Sequence, residues 1–176
     1  MPIKPHKYWR DIILPIVRRD TPPTVPQAVV LENHRVLLVK RDNPALWELP
    51  GGGMRPEETP EQAVIREVYE ETGVRAEIVE LLGWYTRTGF CAHHAPVFIC
   101  HPIGGELRPH ADEASKVQYF PLSALPRGLF PWYRPILQQD VVSQLPKPLH
   151  STQHLGLGTL VRCLILDLGG RLGLAD

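Results

Sequence analysis

Glu67, Glu70 and Glu71 stand three and four residues apart in the run LPGGGMRPEETPEQAVIREVYEETGV, from Leu49 to Val74. A helix turns by about 100° per residue, so these carboxylates fall in one narrow arc of its surface. Like charges at that spacing destabilise a helix by a few tenths of a kcal/mol per pair, and a bound cation reverses the sign. Mg²⁺ and Mn²⁺ suit such a cluster, because hard ions take oxygen ligands and keep waters or substrate phosphates in their remaining positions. The Gly51-Gly52-Gly53 run just upstream lets backbone pass close to the site and offer a carbonyl or an N–H. For an arbitrary glutamate triplet, the alternative is a solvated acidic face.

The signals around the triplet predict the helix that must carry it. Thr59 is a suitable N-cap, Pro60 occupies the first helical position, and Gln62 stands three residues after the cap to complete a capping box. Gly73 supplies the C-terminal stop. Val64, Ile65, Val68 and Tyr69 share a second arc, the face expected to pack.

Gly52, five residues, Glu58, seven residues, then Arg66-Glu67-Val68-Tyr69-Glu70-Glu71-Thr72-Gly73-Val74 reproduces the Nudix box at every fixed position. The chain therefore resembles the Nudix hydrolase family, with the pattern running from about Pro26 to Val142. The resemblance implies an α/β fold, a Nudix-type α/β/α sandwich around a mixed β-sheet. It also implies metal-dependent hydrolysis of a diphosphate in a nucleoside triphosphate, ADP-ribose or nucleotide sugar. By the same resemblance, Glu67, Glu70, Glu71 and Gly52 would hold Mg²⁺ or Mn²⁺, with Arg66 and Glu58 orienting them. Glu113, in the loop ADEASKVQYFP, would supply acid–base function, with Asp112 beside it and Glu67 in the box as alternatives. Arg41 and Arg87 are candidate substrate contacts; an exposed surface role for Arg41 has equal standing. The alternative class is a Nudix-like nucleotide-binding or regulatory module without turnover. Residues 89–92, Gly-Phe-Cys-Ala, lack the downstream markers of the ADP-ribose and diadenosine polyphosphate enzymes, so the substrate stays open.

Elsewhere the chain of 176 residues reads as one domain with a tail. Nineteen basic residues balance nineteen acidic ones, which gives no electrostatic footprint for nucleic acid. The odd count of three cysteines, Cys91, Cys100 and Cys163, argues against a disulfide framework and for a reducing cytoplasm. No apolar run is long enough to span a bilayer, and the start of the chain has no signal-peptide pattern. Residues 6–19 predict a short helix. A hairpin turning at Asn33-His34 should join strands 27–32 and 35–41, and Trp47 should be core. Strands are expected at 76–82 and 84–88, around Gly83, and at 96–101 and 116–120, with a turn at Gly104-Gly105. His93, His94, His101 and His110 read as ordinary loop histidines, and residues 132–142 as a closing helix. Residues 1–150 then form the Nudix domain, and 151–176 a helical tail. The tail's stripe Leu157, Leu160, Val161, Leu164, Ile165 and Leu168 should pack on the domain, with a homodimer contact or a membrane-surface helix as the alternative.

Overall fold

The computed structural model describes residues 22–42, 44–109 and 114–172. Strands β1 (Gln27–Glu32) and β2 (Arg35–Lys40) pair as the expected hairpin. Asn33 and His34 adopt φ of 48° and 60°, the left-handed pair required by the two-residue turn that matches strand twist. Strand β3 (Trp47–Glu48) lies antiparallel to β2 and aligns Glu48 with Val39. It is the short approach to the glycine loop.

After the helix α1 (Pro60–Thr72), one long strand, β4 (Val74–Gly89), replaces the two strands expected around Gly83. Register shifts between Ile78 and Glu80 and between Leu81 and Gly83 absorb the irregularity as bulges, so the ladder continues through the glycine. Strand β5 (His93–Gly105) is likewise longer than expected. Gly104 and Gly105 pair with Arg75 and Val74 instead of turning, and His93, His94 and His101 lie on a strand instead of a loop. Strand β6 (Lys116–Pro121) pairs with β2, and β7 (Leu149–Leu155) runs parallel to β4. The sheet order is β3-β2-β1-β5-β4-β7, with β6 also on β2, and the parallel β1–β5 and β4–β7 pairs make it mixed.

Alternation along the strands gives the sheet two apolar faces. Ala28, Val30, Leu37, Phe98 and Cys100 meet Val64 and Val68 of α1 on one face. Full burial of each of those two valines contributes about 1.5–3 kcal/mol. Ile65 joins them in part, but Tyr69 points outward and is exposed, contrary to its expected packing role. On the other face Val29, Val36, Leu38, Tyr85 and Val97 meet Trp132, Tyr133, Ile136, Leu137 and Cys163. Helical segments on both sides of a mixed sheet are the expected α/β/α arrangement. Trp47 is core and packs edge-on against Phe120 at 4.8 Å.

The closing helix is shorter and wider than expected. Helix α2 (Tyr133–Pro135) passes directly into a π-helical turn, Ile136–Asp140, in which Val141 N–H donates to Ile136 C=O at 2.9 Å. Pro135 has no N–H to continue a regular ladder, and a proline ring inside a helix displaces the preceding carbonyls, so a local widening is the expected response.

The tail departs most from expectation. Residues 149–155 extend the sheet as β7, and helix α3 (Leu157–Arg171) starts only afterwards. Moreover, α3 docks through the opposite face to the one its leucines indicated. Cys163 and Asp167 are buried and Leu160 packs on the core, whereas Leu157, Val161, Leu164, Ile165 and Leu168 are 46–77% exposed. The docking is anchored by a polar contact and a small residue. Asp167 Oδ1 accepts the Ala45 N–H at 2.7 Å, and a Cβ on Gly170 would lie 2.4 Å from the Ala45 carbonyl oxygen.

Candidate active site

The capping box forms as its residues dictate. Gln62 N–H donates to Thr59 Oγ1 at 3.3 Å, and Thr59 N–H donates to Gln62 Oε1 at 2.9 Å, which fixes the first turn of α1. Gly73, at φ 71°, closes the other end and donates its N–H to Tyr69 C=O at 2.9 Å.

Between these caps, Arg66 is the hub of the acidic face. Its Nε and Nη2 donate to the two Glu58 carboxylate oxygens, both at 2.8 Å. Nη1 reaches Glu67 at 2.7 Å and Glu70 at 3.0 Å, and Nη2 also donates to Gly53 C=O at 3.0 Å. The fork of the guanidinium thus joins the loop to three carboxylates, a charge-assisted arrangement that fixes geometry as well as energy. Glu58, bonded first by Arg66 and then by the Arg55 N–H, is held down at a pKa of about 2. Burial opposes ionisation of Glu70, but Arg66 and Arg55 outweigh it and bring its pKa below the ordinary value. Arg66 and Glu58, the pair expected to orient the metal-binding set, are the residues that make these contacts.

Glu71 is in a different environment. It is 5% exposed and accepts the Gly51 N–H at 3.0 Å. Burial, and next the negative charge of Glu48, push its pKa well above the ordinary carboxylate value; Glu67 adds to the shift and Arg41 opposes it. The loop can approach this closely only because it is glycine. Gly51 sits at φ 151°, where a Cβ would lie 2.3 Å from the Pro26 carbonyl oxygen, and a Cβ on Gly52 would lie 2.6 Å from the Glu67 carboxyl carbon. Gly52 backbone therefore lies against Glu67 as expected.

The structure thus brings Glu58, Glu67 and Glu70 together on Arg66 and places Glu71 on Gly51. Among the described residues, no group of acidic, histidine or cysteine side chains already stands in an ion-holding arrangement. The donor set nevertheless fits a hard divalent cation. It consists of carboxylate oxygens and loop backbone, with a buried carboxyl whose ionisation the neighbouring negative charge opposes.

Arg41 Nη1 donates to Glu48 Oε1 at 2.7 Å, which puts this arginine beside the carboxylate cluster. Glu48 was missed from the sequence. Its one signal is its place four residues before Gly52, and only the β2–β3 pairing shows that it faces Glu71 and Arg41. Arg87, the other candidate substrate contact, lies in the interior of the sheet. It is 0% exposed, because β4 pairs with β5 and β7 on either side and points it into the core face of the sheet. Glu113, Asp112 and the helix expected at residues 6–19 lie outside the described residues.

The model of the NUDIX domain matches residues 21–140, more than half of the chain. The chain belongs to the Nudix hydrolase family. A MutT-like protein of Streptomyces ambofaciens is 44% identical over 94 residues, which are 52% of this chain and 59% of that protein. An ADP-ribose pyrophosphatase of Methanocaldococcus jannaschii is 35% identical over 115 residues, 62% of this chain and 68% of that one. Among solved structures, a MutT Nudix hydrolase from Burkholderia pseudomallei is 31% identical with a TM-score of 0.63, covering 70% of this chain and all of its own, 100%. A Nudix hydrolase from Nitrosomonas europaea has a TM-score of 0.68 at 23% identity, covering 78% and 81% of the two chains, a likeness of fold. Membership makes this Nudix chain a hydrolase acting on anhydride bonds, in a family that generally uses divalent metal ions and small nucleotide substrates. No described helix is long and apolar enough to cross a membrane.

Proposed function

We propose that this Nudix chain is a Mg²⁺-dependent pyrophosphohydrolase, with Mn²⁺ able to substitute, that cleaves the diphosphate linkage of a nucleoside diphosphate derivative. The observation that carries the reading is Glu71, a buried carboxyl beside Glu48 and Glu67 at the mouth of a glycine loop. A divalent ion there would neutralise the diphosphate and acidify a bound water. Glu67, Glu70, Glu71 and the Gly52 backbone would hold it. Arg66 keeps Glu58, Glu67 and Glu70 in register, so the carboxylates need little rearrangement when substrate arrives. Arg41, beside Glu48, would meet a phosphate oxygen. A carboxylate, Glu113 by preference, accepts the proton as water oxygen bonds to phosphorus; the bridging P–O bond breaks and the other phosphate leaves.

The reading without turnover has no observation in its favour. Glu70→Gln combined with Glu71→Gln should leave a folded protein with no Mg²⁺-dependent turnover, and full activity in that folded variant would overturn the assignment. The three cysteines are free, two of them buried, in keeping with the cytoplasmic setting we propose. We also propose that the chain forms a homodimer. The outward row of α3 is apolar and exposed, a face that a second copy of the helix would cover about a two-fold axis.

A further inference from the structure

Helix α3 follows the span matched to the NUDIX domain, residues 21–140, yet its last turns reach back to the connection between β2 and β3. That connection carries Arg41, the arginine beside the carboxylate cluster. Asp167 is 7% exposed, and its Oδ1 accepts the Ala45 N–H at 2.7 Å. Both of its carboxylate oxygens also meet Arg171 Nε at 3.1 Å, four residues along the same helix. Gly170 lets the helix come this close, since a Cβ there would lie 2.4 Å from the Ala45 carbonyl oxygen. The helix therefore holds Ala45 on both its N–H and its C=O side.

Docking alone does not call for an aspartate at this place. Burying a carboxylate is costly unless it is hydrogen-bonded, and α3 otherwise docks through Leu160, Cys163 and Leu166. Outside its own helix Asp167 bonds the Ala45 N–H, a group that stands beyond the β2–β3 ladder of Val39 with Glu48 and Lys40 with Trp47.

Ala45 is one residue from the bond that sets the Arg41 backbone. Leu46 N–H donates to Pro44 C=O at 2.8 Å, and Leu46 C=O accepts the Arg41 N–H at 3.0 Å. Pro44 and Leu46 are buried, so a shift at Ala45 passes to Arg41 instead of dying out in solvent. From that backbone the Arg41 side chain reaches Glu48 Oε1 at 2.7 Å, and its charge acts on Glu71. Groups that meet a substrate tolerate little misplacement: about 1 Å, caused far from the chemistry, can cost on the order of 10²-fold.

We infer that Asp167 is a positioning residue for this active site: by fixing Ala45, it sets the place of Arg41 against the diphosphate of the substrate. This rests on the hydrolase reading above, in which Arg41 meets a phosphate oxygen, and extends that site to a helix outside the NUDIX domain. Gly170 belongs to the same device, because its missing Cβ sets the depth at which α3 meets Ala45. Asp167 acts through Ala45 and takes no part in the chemistry.

Two measurements on the full chain test this separately from hydrolysis. Amide hydrogen exchange by NMR needs no substrate. Asp167→Ala should speed exchange at Ala45 and Arg41 about tenfold or more. Asp167→Asn keeps the acceptor and gives up the charge that meets Arg171, and should stay within about twofold of native. Calorimetric titration with inorganic diphosphate in Mg²⁺ reads the site itself. Arg41→Ala and Asp167→Ala should each weaken binding about fivefold or more. In the Arg41→Ala background, Asp167→Ala should add less than about twofold, since both act on one contact. Gly170→Ala favours the helix by propensity yet presses on Ala45, and should weaken binding in the same way. If α3 served stability alone, Gly170→Ala would bind like native and the losses from Asp167→Ala and Arg41→Ala would multiply. Either result would overturn the inference, as would unchanged exchange at Arg41 in Asp167→Ala or a native chain that binds no diphosphate. Coupled losses in a chain that binds diphosphate and hydrolyses no nucleotide would uphold it and count against the hydrolase reading alone.

Discussion

Replacing Glu71 by glutamine separates the cost of a buried acid from its use. Glu71 is 5% exposed, and burial followed by the Glu48 charge raises its pKa well above the ordinary 4.5. An acid whose folded pKa is raised costs no stability while the pH is below its unfolded value. Above that value the folded protein must keep a proton that the unfolded chain gives up, so stability falls from about pH 4.5 upward until the folded pKa is passed. Glutamine does not ionise, and its amide oxygen can accept the same Gly51 N–H. In EDTA, Glu71→Gln should therefore match the wild type near pH 5 and melt above it at pH 8. Mg²⁺ should invert that order at pH 8. An ion that binds only the folded state contributes about 2.7 kcal/mol at a hundred times its Kd. For a domain of this size that is a rise of about 5–11 °C, most of which Glu71→Gln should lose. Thermal melts of both proteins at pH 5 and pH 8, in EDTA and in saturating MgCl₂, read each term. A variant that melts below the wild type in EDTA at pH 8, or that keeps the full Mg²⁺ shift, would refute this placement of charge.

Other outcomes follow from the loop, the tail and the outer face. Glu113→Gln should lower kcat by about 10²-fold or more with KM little changed, and Asp112→Asn should be mild. The opposite ranking in steady-state kinetics moves the role to Asp112, and activity in both variants moves it to Glu67. Ending the chain after His150 removes most of β7 and all of α3, including buried Leu155 and Cys163. Leu155 alone contributes about 1.5–3 kcal/mol, so an unchanged melting temperature would show that the tail is dispensable. Sedimentation should give a dimer for the native chain and a monomer for Leu164→Glu with Leu168→Glu; a monomeric native chain contradicts the homodimer.

Local signals were the legible ones. The capping box at Thr59, the stop at Gly73 and the turn at Asn33-His34 each depend on residues within a few positions of one another, and all three form as read. The acidic face of α1 was legible for the same reason, and Arg66 meets Glu58 and Glu67 where the family pattern sets them. What was not legible depends on partners far along the chain. Glu48 joins the site only because β3 pairs with β2, and the burial of Arg87 follows from strands on both sides, one of them 66 residues away at Gln153. In the tail the docked face is not the most apolar one. Its helix carries a second face at helical spacing, Leu160, Cys163, Asp167 and Gly170, and the Asp167 contact with Ala45 together with the small Gly170 decides the docking.

Hydrolysis with and without a divalent ion is the most direct test of the central claim. The native chain should be offered nucleoside triphosphates, ADP-ribose, nucleotide sugars and dinucleoside polyphosphates, with products identified by chromatography and phosphorus NMR. Cleavage within the diphosphate of at least one class in Mg²⁺, abolished by EDTA and restored by Mg²⁺ or Mn²⁺, is the expected result. Turnover that persists in EDTA, or a folded protein that binds nucleotides across the panel in Mg²⁺ and cleaves none of them, would contradict it.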